Sequence, residues 1–171
     1  MRLIPLVLFM AACGGATAES PLTVQLGLTH DQTATMLKGH QFCLETSSAT
    51  ISSTQQKQVY PRCKRAASEQ GEAWVIAIYD GDKLVELRRF ERFGEDDKAV
   101  ERWNELVGAR MKISPPDEAA LQQIKDKGLL EPGTRTVKAF RGEAGTVVGV
   151  YLLTPFPPEN ANVLEKVTYL K

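Results

Sequence analysis

Acidic and basic side chains crowd one stretch of this 171-residue chain. Glu86, Glu91, Glu95, Asp96 and Asp97 are interleaved with or follow Arg88, Arg89 and Arg92. Two carboxylates in one cleft could run a hydrolysis, one as general acid and the other as base or nucleophile. On a solvated strand face the same residues would form cross-strand ion pairs, each contributing less than about 1 kcal/mol. The sequence favours the second arrangement, because nothing in it marks any of these acids as desolvated. Other reactive residues are few. The two histidines, His30 and His40, are too far apart for the i,i+4 pair of a helical zinc site. No serine sits in a Gly-x-Ser-x-Gly elbow, and Gly142 and Gly145 lack the lysine of a phosphate loop. The residues imply no metal and no cofactor.

The N-terminus carries a different chemistry. Arg2 is followed by an uncharged apolar run from Leu3 to Ala12, far short of the roughly 20 residues that span a bilayer. A short apolar run behind a positive residue reads as an export signal. Met10-Ala11-Ala12-Cys13, followed by Gly14, resembles the lipobox of bacterial lipoproteins. The resemblance implies that residues 1–12 are removed and that Cys13 becomes a lipidated N-terminus. Gly14 resembles the residue found there in lipoproteins sent to the outer membrane, facing the periplasm. Acyl chains contribute about 0.8 kcal/mol per buried CH2, so two or three make a stable membrane anchor. A competing small-x-small site, Ala16-Thr17-Ala18, would instead release a soluble periplasmic or secreted protein cut after Ala18. Residues 13–22 then read as the lipidated cysteine and a flexible tether, with one domain over 23–171.

Export decides the remaining cysteines. Outside the cytoplasm, Cys43 and Cys63 are expected to form a disulfide. Lys plus Arg and Asp plus Glu each number 21. A balanced chain of this kind argues against a nucleic-acid partner, which would require a basic surplus.

Several elements must position these groups. Thr29 with Gln32 forms a capping box for a short helix ending at Gly39. His40 to Thr46 alternates like a strand, and Ser47 to Gln58 reads as a polar connector before a returning strand at Tyr60 to Ala66. Ala73 to Tyr79 and Lys83 to Phe93 make a hairpin around Asp80-Gly81. A helix runs from Asp96 or Asp97 to about Arg110, with Val100, Trp103, Val107 and Met111 on one face. Ser114-Pro115 opens a further helix that ends at Gly128. Thr134 to Arg141 and Thr146 to Thr154 form a second hairpin, and the pattern from Asn160 to Leu170 fits helix or strand equally. The sum is an α+β domain: an antiparallel meander with two or three helices packed on one face.

Leu26-Gly27-Leu28-Thr29, with Gln32 and Leu37-Lys38-Gly39, is similar to the opening of SmpA/OmlA-type outer-membrane assembly lipoproteins. The strands from Val75 to Val85 extend the similarity, which covers roughly residues 24 to 93. It implies a binding protein rather than an enzyme. The expected function is therefore a lipid-anchored, non-catalytic envelope protein that binds another envelope protein or supports an assembly. Arg88, Arg89, Phe90, Arg92 and Phe93 form the expected partner surface, since Arg and aromatic residues are enriched at binding hot spots. A secreted hydrolase using the clustered acids, and a carrier of small apolar ligands, are the alternatives.

Overall fold

A computed structural model of the chain describes residues 20–44, 48–63, 72–155 and 160–170. Cys13, the leader and most of the tether lie outside these residues. Three helices and seven strands are arranged as α1 (His30–Gly39), β1 (Ser48–Thr50), β2 (Gln55–Pro61), β3 (Glu72–Asp80), β4 (Lys83–Phe93), α2 (Asp96–Met111), α3 (Glu118–Asp126), β5 (Thr134–Arg141), β6 (Thr146–Leu153) and β7 (Ala161–Tyr169). The fold class is α+β. The strands form a single antiparallel sheet in the order β1-β2-β3-β4-β7-β6-β5.

Local chemistry accounts for most boundaries. At α1 the Thr29 hydroxyl accepts from the Gln32 backbone N–H, and the Gln32 side chain accepts from the Thr29 N–H. Gly81 turns the β3–β4 hairpin at φ +60°, a conformation that favours glycine. The third helix starts later than its prolines suggest. Asp117, not Ser114, caps it through Ala120 N–H, while Pro116 pairs with Phe140 as an isolated bridge. The Ser/Thr-rich connector is partly strand, because β1 and the first half of β2 pair with each other and with β3. Of the stretch His40 to Thr46, the described residues 40–44 make an isolated bridge, Phe42 to Arg62, and Glu45 and Thr46 lie outside the described residues. Beside that bridge Cys43 and Cys63 are joined by a disulfide, with Cα atoms 5.0 Å apart.

Both faces of the sheet carry apolar residues. On the inner face α1 and α2 pack over Val75, Ala77, Leu87, Val148, Val150 and Val163. α3 lies across the sheet, against Val137, Ala139, Tyr151 and Leu164 at the β5 end. Two helices thus share one face, and the third covers part of the other. β7 settles the segment whose pattern was undecided. It is a central strand, buried along most of its length on both faces, so it shows no polar alternation.

The N-terminal boundary also moves. Leu22, Val24 and Leu26 alternate into the core, and Leu22 is 1% exposed. The folded unit therefore includes Leu22, which was assigned to the tether. This segment is a strap without a sheet partner, held by Gly27 N–H donating to Leu84 O and by side chains of the sheet and α2.

Candidate functional site

The strand alternation of β4 divides the expected partner surface in two. Arg88, Phe90 and Arg92 point to the outer face, and Arg89, Glu91 and Phe93 point inward beneath α2. Arg89 is only 1% exposed, so it cannot belong to an exposed surface, and Phe93 is buried with it. Arg89 instead faces Glu165 directly across the β4–β7 pair, 2.9 Å away, and lies 3.4 Å from Glu91. Arg102 on α2 grips Glu91 through two hydrogen bonds of 2.7 and 3.0 Å. Arg110, two turns further along α2, donates to Glu165 at 2.8 Å and to the Leu22 carbonyl. Arg89 also donates to Ser20 O, and Glu165 accepts from Leu22 N–H.

This cluster has three guanidiniums and two buried carboxylates; the half-exposed Glu105 accepts from Arg102, and carbonyls of the strap accept from Arg89 and Arg110. Burial alone would raise the Glu91 carboxyl. Hydrogen bonds from Arg102 and the nearby arginine charges outweigh that and hold it below the usual carboxylate range. Such a carboxylate cannot serve as a general acid. Glu95, Asp96 and Asp97 stand exposed at the start of α2, away from any cleft.

The outer face presents the site. Among the described residues no helix covers it over β2, β3 and β4, and a groove of about 680 Å³ runs across β2, β3, β4 and β7. Ile76, Ile78 and Val85 line its floor, and Ile51 and Leu129, both exposed, stand at the rims. A bulge between Ile78 and Tyr79 brings Val85 into the floor next to Glu86. One wall is a closed quartet of charges. Arg88 meets Glu86 at 2.5 Å and Glu131 at 3.4 Å; Lys166 meets Glu131 at 2.7 Å and Glu86 at 3.5 Å. Glu131 follows α3, so the quartet pins the loop carrying Leu129 to the sheet. Its two carboxylates each contact two cations, which leaves neither free for acid–base work. Tyr151 packs below, its phenol pushed up to about 12 by burial and then by the charges of Glu131 and Glu86.

Beyond the groove the outer face continues with Trp74 stacked on Phe90 at 5.3 Å, and Arg92 lies over the Trp74 ring. Phe90 and Arg92 thus stand on the outer face, with Trp74 between them. His30 stacks on Tyr79 in the interior, and His40 caps α1. Among the described residues no three His, Cys, Asp or Glu side chains converge as metal ligands, and no helix is long and apolar enough to cross a membrane.

Sequence reasoning missed the groove. Its signal was present in β3, where Trp74, Ile76 and Ile78 alternate with Val75, Ala77 and Tyr79. A strand apolar on both faces needs two covers, and helices supply only one here. No known protein family, curated protein or solved structure matches this chain.

Proposed function

We propose that this chain is an exported, lipid-anchored envelope protein that binds another protein through the outer face of its sheet and catalyses nothing. The observation that carries the reading is the groove floored by the half-buried Ile76, Ile78 and Val85, with the exposed Ile51 and Leu129 at its sides and no described helix over it. A contiguous exposed apolar surface on an otherwise well-covered domain marks a place where another molecule sits. The rigid sheet beneath it, with its disulfide-stapled end, suits a preformed platform. The lipobox-like leader and the likeness to SmpA/OmlA-type lipoproteins point to the same compartment. The hydrolase alternative is weakened because every acid in the groove or beneath α2 is held by arginine or lysine.

Two measurements test this. Intact mass of the chain recovered from its own membranes should give a protein that starts at Cys13, carries acyl groups and lacks free thiols at positions 43 and 63. A photo-crosslinking residue at Ile78 should capture one discrete envelope protein in living cells, and the same residue at exposed Gln122 on α3 should not. Equal capture from both positions would refute a specific surface. A chain that retains Met1 would refute export.

A further inference from the structure

The charges that line the groove differ in how they are satisfied. Glu86, Arg88, Glu131 and Lys166 neutralise one another within the quartet. Lys57 on β2 is the other charged residue of the lining. Among the described residues no carboxylate lies within ion-pair distance of its ammonium group. Its cross-strand partner is Ile78, and Ile76 stands on the same face of β3. An unpaired cation thus borders a floor of three aliphatic side chains. Charge complementarity then calls for an occupant that is apolar over most of its length and carries one anion at the β2 side.

The groove's form narrows the occupant further. It spans four neighbouring strands, roughly 14 Å from β2 to β7 at about 4.8 Å per strand. Its top is open between Ile51 and Leu129. Small ligands bind in sites that bury about 70–90% of their surface, which an open trough does not. One polypeptide segment fits such a trough, laying alternate apolar side chains on the floor while its backbone stays hydrated at the top. We propose that the groove receives an apolar polypeptide segment of a partner protein and that Lys57 selects segments with a carboxylate in register. This rests on the protein-binding reading given above and specifies its partner. The quartet serves a different purpose: with its charges internally balanced, it fixes the Leu129 wall without competing for the anion.

The test uses the mature chain purified from its host membranes in detergent. The probes are fluorescent nine-residue peptides of alternating leucine and serine, with one glutamate placed at each serine position in turn, and matched peptides with glutamine there. Anisotropy titrations should give at least one glutamate peptide that binds fivefold or more tightly than its glutamine partner, and the preference should shrink as salt rises. Lys57→Gln should abolish the preference and leave glutamine-peptide affinity unchanged. Ile78→Asp should weaken all peptides at least tenfold. Lys57 is a half-buried strand residue without an ion-pair partner among the described residues, so Lys57→Gln removes no internal salt bridge, and far-UV circular dichroism checks the fold of both variants. The proposal is overturned if no peptide binds, if the preference survives Lys57→Gln, or if dodecanoate binds at the groove and the peptides do not. A partner still captured by crosslinking at Ile78 in those cases would leave the protein-binding reading standing and remove only the acidic-segment inference.

Discussion

Replacing Glu165 with glutamine tests the most heavily constrained part of the molecule. The residue is 1% exposed, and its two oxygens meet Arg89, Arg110 and the Leu22 N–H. In the native cluster three guanidiniums face two buried carboxylates, Glu105 takes a further bond from Arg102, and the carbonyls of Ser20 and Leu22 accept from Arg89 and Arg110. Glu165→Gln removes the carboxylate that Arg89 and Arg110 share and leaves Glu91 and the half-exposed Glu105 as the remaining anions, with almost no change in volume. Counting each of the three hydrogen bonds to Glu165 separately at about 1.5–3 kcal/mol would give about 4.5–9 kcal/mol, comparable with the whole usual stability of a domain. The buried-pair figure is the better guide, since the arginines partly rehydrate: loss of one partner costs about 3–5 kcal/mol. Urea unfolding followed by tryptophan fluorescence should show that loss with an unchanged m-value. Urea is preferred to guanidinium because it does not screen the charges. Hydrogen exchange should also speed up at Leu22, whose N–H must compete with Arg89 and Arg110 for the one acceptor oxygen that glutamine retains. A loss below about 1 kcal/mol with native exchange at Leu22 would refute the reasoning, because it would mean that water already shields these arginines.

Other perturbations follow from the same geometry. The Glu91 carboxyl is lowered in the folded state, so the unfolded chain takes up its proton first as pH falls. Its stabilising contribution is complete above the unfolded value of about 4.3 and is lost as pH drops through the folded value. The stability gap between wild type and Glu91→Gln should therefore be widest near neutrality and close below about pH 4, as read by urea unfolding across pH. An added Cβ at Gly149 would sit 2.4 Å from the Tyr151 ring, so Gly149→Ala should cost about 1–3 kcal/mol in the same assay. Converting Cys43 and Cys63 to serine opens a link of sequence separation 20 and should cost about 3 kcal/mol by the chain-entropy relation, seen as a lower urea midpoint.

Elements whose local chemistry agrees with their tertiary role were legible in the sequence. The Thr29–Gln32 capping box and the Asp80-Gly81 turn each acted where their residues indicated. Elements whose buried faces carry charge were not. The α2 stripe was read as Val100, Trp103, Val107 and Met111. The buried set is Ala99, Arg102, Leu106, Val107 and Arg110, and Met111 is 55% exposed. Periodicity rules count arginine as solvent-facing, yet here two arginines point inward because Glu91 and Glu165 meet them. The same rule placed Arg89 on the surface and left β7, which carries Glu165 and Lys166, without an assignment. For the site, strand parity put Arg88, Phe90 and Arg92 on one face. Lys57, Glu131 and Lys166 lie far from them along the chain, and only the sheet order brings them near.

Leu22 and Glu165 touch across 143 positions of chain. The leading strap therefore finds its seat only after the trailing strand has slotted between β4 and β6. Without β7 the sheet order divides into β1–β4 and β5–β6, each with an unpaired inner edge, and Arg89 and Arg110 lack their Glu165 partner. Such edges attract chaperones and proteases. One strand thus pairs both inner edges, joins the halves and supplies the carboxylate that Arg89 and Arg110 share.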